Sequence, residues 1–215
     1  MNNFFSSWSG GKDSCLALYS IINEGNKAGK LLTMLREDAE KSRSHGLSQE
    51  VLEAQANSLN IPLTTCPTTW DNYEENFINI LGELKKEGFE NGVFGDIDNI
   101  DHRKWVEGVC SQVDMEAYLP LWKKTRQELL DKFINAGFKA MIVSLNKEYL
   151  DQKYLGQIIT EDIVKEFTDI GIDPAGENGE YHTVVIDGPI FSYPISIETG
   201  EIFFHKGYCF LETKV

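Results

Sequence analysis

Ser9-Gly10-Gly11-Lys12-Asp13-Ser14 is the stretch that decides how this chain is read. It follows a short apolar run, Asn3 to Trp8, that predicts a buried strand. It precedes Cys15, Leu18, Tyr19 and Ile22, whose i, i+3, i+4, i+7 spacing predicts one face of a helix. Where a strand gives way to a helix through two glycines, unpaired backbone N–H groups and the positive end of the helix dipole favour an anion. Glycine lets the backbone curl around phosphate oxygens without a Cβ in the way. Ser9 and Ser14 add hydroxyls, Lys12 adds a positive charge, and Asp13 supplies a carboxylate suited to a magnesium ion that bridges phosphates. A plain strand-to-helix turn needs a glycine and a capping Asp or Ser, but not the whole string. Two competing nucleotide signatures fail: there is no G-x-G-x-x-G, and Gly25…Gly29-Lys30 has the wrong spacing for a Walker loop and continues with Leu31.

Outward from the hexapeptide, apolar runs at Leu31–Leu35, Leu63–Cys66, Gly92–Gly95 and Phe138–Leu145 predict further strands. Helical stripes lie between them: Leu52, Ala56 and Leu59 after a capping Ser48; Tyr73, Phe77, Ile80, Leu81 and Leu84; then Val106, Val109, Cys110 and Val113. Thr125-Arg126-Gln127-Glu128 has capping-box spacing before Leu129, Leu130, Phe133 and Ile134, with Gly137 as the stop. Such alternation predicts an α/β fold, a parallel sheet with helices on both faces. After about residue 148 the rhythm changes to a helix near 160–170, a Gly-rich loop from Pro174 to Glu180, and β-rich runs at Thr183–Ile186 and Ile202–Leu211. The expected division is a nucleotide-binding domain over 1–147 and a small α+β domain over 148–215.

With 215 residues, 41% hydrophobic and 25% charged, the chain has ordinary globular composition. No apolar run approaches the ~18–20 residues of a membrane span, and the start of the chain lacks the pattern of a signal peptide, so a cytoplasmic, membrane-free protein is expected. A net charge of −14 repels phosphate backbones. Only Lys123, Lys124 and Arg126 make a basic cluster, so nucleic acid is not an expected partner. Cys15, Cys66, Cys110 and Cys209 are scattered without a C-x-x-C pair, as in a reduced protein without structural zinc.

The hexapeptide resembles the PP-loop of the ATP pyrophosphatase superfamily, whose members split ATP into AMP and pyrophosphate while adenylating a substrate. Four further strings, Ser42-Arg43-Ser44-His45-Gly46-Leu47, Gly95-Asp96-Ile97, Pro120-Leu121-Trp122 and Gly176-Glu177-Asn178-Gly179-Glu180-Tyr181-His182-Thr183, resemble the diphthine–ammonia ligase family in that order. The likeness runs from the first strand to about Phe191. It implies an adenine-nucleotide alpha-hydrolase-like (HUP-type) sheet domain with a small C-terminal domain, and an ATP- and Mg2+-dependent amidation of diphthine on translation elongation factor 2. Were the source bacterial, the acceptor would be another carboxylate.

The resemblance implies that Ser9, Gly10, Gly11, Lys12, Asp13 and Ser14 hold the nucleotide, with Asp13 on the metal and His45, Gly46, Gly95 and Asp96 on the same rim. It gives Glu177, Asn178, Gly179, Glu180, Tyr181, His182 and Thr183 to the acceptor. Lys12, Asp13, Glu177 and Glu180 are the expected catalytic set. Two carboxylates three apart would attract ammonium or the trimethylammonium of diphthine, and one of them, or His182, would take the ammonium proton. The family usually reads E-G-G-E-Y-E-T, where Asn178 and His182 stand here. A glutaminase domain would not fit in this length, so free ammonia or a separate subunit is the expected nitrogen source. The alternatives are adenylation of another substrate, a small molecule or a tRNA base, and a non-catalytic nucleotide-binding protein. Scattered cysteines and acidic charge disfavour tRNA thiolation.

Overall fold

A computed structural model describes residues 3–43 and 45–215. Met1 and Asn2, at the chain start read for a signal peptide, and Ser44 of the Ser42–Leu47 string lie outside the described residues. The elements run β1 (Phe4–Ser7), α1 (Lys12–Asn23), β2 (Ala28–Leu35), α2 (Gln49–Leu59), β3 (Leu63–Pro67), α3 (Tyr73–Lys86), β4 (Asn91–Val93), α4 (Ile100–Ser111) and β5 (Glu116–Tyr118). They continue with α5 (Arg126–Asn135), β6 (Lys139–Asn146), α6 (Glu161–Asp169), β7 (Tyr181–Asp187), β8 (Glu198–His205) and β9 (Tyr208–Lys214). Among the described residues no helix is long and apolar enough to cross a membrane.

The first compact unit holds residues 3–9, 13–43 and 60–124. Its sheet has five strands in the order β3-β2-β1-β4-β5, and every pairing is parallel. This is the expected α/β sheet. Because β1 has β2 on one side and β4 on the other, the chain reverses its direction of growth at β1, where such sheets open a crevice beyond the strand ends. The stripe on α3 buries Phe77, Leu81 and Leu84 against Phe5, Leu32, Phe94, Val106, Val109 and Cys110. Removing side chains of this size from water contributes ~1.5–3 kcal/mol each. Helix α4 starts where the Asn99 side chain accepts from Asp101 N and His102 N. The short strand β5 carries no signal in the sequence, being three residues that are mostly exposed.

The second unit holds residues 10–12, 45–59 and 125–215, with a four-stranded antiparallel sheet ordered β7-β6-β9-β8. Two sequence expectations change here. The run Phe138–Leu145, read as the last strand of the parallel sheet, forms β6, which pairs antiparallel with β7 and β9. Burial of Ala140, Ile142, Val143 and Leu145 suits the middle of either sheet, so apolarity alone does not fix strand direction. In consequence α5 and β6 go with the second unit, and the division expected after residue 147 falls inside it. The β-rich run Ile202–Leu211 is a hairpin: Lys206 and Gly207 both have positive φ, +47° and +86°, as a two-residue type I′ turn requires. The capping box of α5 forms as expected, Thr125 accepting from Glu128 N while the Glu128 side chain accepts from Thr125 N.

Candidate nucleotide and acceptor site

Gly10, Gly11 and Lys12 are held by α2 and β7. Gly10 O accepts from Val185 N at 2.9 Å and from Gln55 Nε2 at 2.9 Å, while Gln55 Nε2 also donates to Val185 O at 2.8 Å. Lys12 N donates to Thr183 Oγ1 at 3.1 Å. That N–H therefore belongs to the protein, and Thr183, expected at the acceptor, works here as an anchor for the loop. Gly10 has φ +80°, and a Cβ there would sit 2.7 Å from Gln55 Oε1 and Leu47 Cδ1. A Cβ on Gly11 would run into the His45 imidazole. His45 Nδ1 lies 2.8 Å from Thr183 O, and since a carbonyl only accepts, that nitrogen carries the proton. Gly46, with φ +68°, follows against the ring of Phe210.

The acidic motif meets the same loop. Lys12 is buried; its Nζ is 3.8 Å from Glu177 Oε1 and 5.6 Å from the centre of the Tyr181 ring. Glu177 is the more open of the two acids. Glu180, expected to face a pocket, is 2% exposed and accepts from Asp173 N at 3.1 Å, Asn178 N at 2.9 Å and Asn178 Nδ2 at 3.2 Å. Its carboxylate closes the 173–180 loop instead of standing open to a ligand. Asn178, which replaces a glycine of the family string, contributes its side-chain amide to that closure. Tyr181 Oη donates to Pro174 O at 2.6 Å, and a Cβ on Gly179 would come 2.9 Å from Tyr208 Oη.

His182 lies against His45 with ring centres 4.8 Å apart and tilted by 41°, and stacks on Tyr208 at 6.4 Å and 18°. Burial, assisted by His45 and the Lys12 ammonium, pushes its imidazole down to about 3. At neutral pH it is uncharged and too weak a base to take a proton from ammonium.

In the first unit, Ser9 Oγ and Ser14 Oγ are 3.0 Å apart across the ends of the hexapeptide. Past β4, a Cβ on Gly95 would lie 2.9 Å from Asp13 C and Ser14 N, so only glycine lets the strand end approach this backbone. Asp96 follows. Burial raises its carboxyl above the usual range, His102 Nδ1 at 3.4 Å works the other way, and the Asp13 charge adds to the rise. Asp96 lines a cavity of about 420 Å3 together with Arg43, Trp70, Tyr73, His102 and Trp105. Sequence reasoning missed Trp70, Tyr73, His102 and Trp105 as site residues. The signal in the sequence was a tryptophan, Trp70, just ahead of the apolar stripe of α3; its 75% exposure is seen only in the fold.

Among the described residues no group of three His, Cys, Asp or Glu side chains is placed to hold a metal by itself. Burial raises the thiols of Cys15, Cys66, Cys110 and Cys209, that of Cys110 to about 12. None is poised as a nucleophile.

Known proteins resemble the chain along most of its length. A sequence model of the diphthamide synthase N-terminal domain matches residues 3–117, and one of the diphthamide synthase C-terminal domain matches 125–215. The C-terminal match begins at residue 125, where the longest segment of the second unit begins. Diphthine–ammonia ligase of Mus musculus is 27% identical, covering 94% of this chain and 85% of the relative. That of Danio rerio is 26% identical over 94% of this chain and 89% of the relative. The Schizosaccharomyces pombe enzyme is 26% identical over 96% of this chain but only 38% of its own length. Among solved structures, a predicted subunit of tRNA methyltransferase from Methanocaldococcus jannaschii superposes with a TM-score of 0.46 at 14% identity, covering 86% of this chain and 97% of that one. With both domain models matched in order, the chain belongs to the diphthamide synthase family.

Proposed function

We propose that this chain is an ATP-dependent ammonia ligase: a carboxylate attacks the α-phosphorus of ATP, pyrophosphate leaves, and ammonia displaces AMP from the acyl-adenylate to give an amide. One observation carries the reading. Lys12 and the backbone of the glycine loop are positioned by the residues of the second motif, Thr183 on the Lys12 amide and Glu177 on its ammonium. Loop and motif form one device. Fixed donors and a buried cation aimed at departing charge are what pyrophosphate release needs. Ser9 and Ser14, at the two ends of the hexapeptide, add hydroxyls, and within the second unit the His45 ring packs against Gly11.

Magnesium takes oxygen ligands and binds through one or two carboxylates plus phosphates, keeping waters for the rest. Asp13, a single carboxylate on the phosphate loop, fits that donor set and would hold the ion. The ion would supply neutralisation of the phosphate charge. With Glu180 committed to backbone amides and His182 held neutral by burial, Glu177, the more open carboxylate, is the group placed to receive the ammonium proton.

The names of the relatives support diphthine as the acceptor and ammonia as the nitrogen donor; translation elongation factor 2 as the bearer of the diphthine, and ammonia taken free, follow from the family resemblance of the sequence motifs. Four free thiols support a cytoplasmic setting. The test is pyrophosphate release from ATP, magnesium, ammonium and diphthine-bearing elongation factor. Lys12→Ala and Asp13→Ala are expected to lower turnover by ~100-fold or more, the range for removing a preorganised electrostatic donor. ATP binding without pyrophosphate release under all these conditions refutes the reading.

A further inference from the structure

Both carboxylates expected to receive a cationic acceptor have other work, Glu180 on backbone amides and Glu177 on Lys12. The aromatic cavity of the first unit has what they lack. The two tryptophans meet their neighbours at an angle: Tyr73 and Trp105 are 5.7 Å apart and tilted by 43°, Phe77 and Trp105 5.1 Å and 49°, Trp70 and Tyr73 5.8 Å and 32°, while Tyr73 and Phe77, one helical turn apart, stack at 6.1 Å and 10°. Tilted rings in mutual contact make a cup, and not the pair of parallel faces that sandwiches a flat base. A cup of electron-rich faces suits a rounded cation. Trp105 is fixed in it by an Nε1–H bond to Glu74 at 2.7 Å. Asp96, largely withdrawn from water, supplies the negative charge on the wall.

Arg43 stands against Trp70. Its guanidinium lies 4.6 Å from the centre of that ring and an Nη2–H donates to Thr68 O. Its Nε is buried and has no hydrogen-bond partner among the described residues. A buried guanidinium N–H without an acceptor is a standing cost that an incoming carboxylate relieves. Burial raises the Tyr73 hydroxyl, which also feels both charges, Arg43 lowering and Asp96 raising its titration; Arg43, Tyr73 and Asp96 all line the cavity.

We infer that this cavity seats a zwitterion: an ammonium group, plain or alkylated, against Tyr73, Trp105 and Asp96, and a carboxylate on Arg43. That this zwitterion is the acceptor rests on the ligase reading. The cavity's ligand class stands on its own residues.

The experiment follows the tryptophan indole N–H signals of the full chain by NMR while glycine betaine, tetramethylammonium and adenosine are each titrated. Betaine is expected to shift the Trp70 and Trp105 signals saturably, with the buried Trp8 signal unmoved and serving as a fold control in every variant. Asp96→Asn is expected to weaken betaine and tetramethylammonium alike by ~10-fold, the scale of one charge-assisted contact. Arg43→Gln is expected to weaken betaine by ~10-fold while tetramethylammonium stays within ~2-fold. Adenosine moving the same signals, no saturation by betaine, or betaine binding unchanged in either variant overturns the inference. Pyrophosphate release separates the two claims: a chain that binds betaine here yet releases none keeps the site and loses the ligase reading, and the reverse result refutes the site alone.

Discussion

Gly95 stands where a single methyl group is enough to disturb the phosphate loop. Its missing Cβ leaves room for the Asp13 and Ser14 backbone, and a Cβ at 2.9 Å forces that backbone to shift. Overpacking of this kind costs ~1–3 kcal/mol, so Gly95→Ala is expected to weaken ATP by ~10- to 100-fold in calorimetry with circular dichroism unchanged. His182 gives a second prediction. Burial holds its imidazole at about 3 in the folded chain against an ordinary 6.5, so the unfolded chain binds the proton more readily. Stability from this residue is complete above pH 6.5 and is lost progressively as the pH falls from there toward 3. Urea midpoints measured down that range are expected to fall less steeply in His182→Gln. At this scale the junction of β1 and α1 was legible because two glycines stand between an apolar run and a helical stripe. The burial of Glu180 was not: two carboxylates three apart look alike until the backbone amides of Asp173 and Asn178 choose one of them.

Helices announce themselves more clearly than the sheets they flank. The stripe on α3 and the Thr125–Glu128 box could be read from spacing because each is local, and Thr125→Ala is expected to cost ~1 kcal/mol in urea unfolding as a lost cap. Strand β6 could not be assigned to its sheet, because its apolar run carries no information about direction and its partners β7 and β9 are far along the chain. The cup of Trp70, Tyr73 and Trp105 was hidden for the same reason: α3 and α4 bring together residues more than thirty positions apart. In the 173–180 loop the Glu180 carboxylate accepts three hydrogen bonds. Glu180→Ala leaves half-buried amides without their acceptor and is expected to destabilise the chain by ~2 kcal/mol, the scale of hydrogen bonds to a charged group. Glu180→Gln, which keeps the acceptor oxygen, is expected to recover about half of that on the same scale.

For the molecule as a whole, a net charge of −14 and four thiols raised by burial narrow the chemistry. No cysteine has the lowered titration that releases ammonia from glutamine or carries sulfur. The purified chain is therefore expected to turn over with ammonium and not with glutamine, as measured by pyrophosphate release; equal rates with glutamine contradict this.

The path of one oxygen atom tests the central claim most directly. With the acceptor carboxylate labelled by 18O and ATP, magnesium and ammonium supplied, attack at the α-phosphorus transfers one labelled oxygen to AMP, with unlabelled pyrophosphate formed in equal amount. Labelled inorganic phosphate appearing with ADP would mean attack at the γ-phosphorus, and would contradict a loop built to hold the departing pyrophosphate.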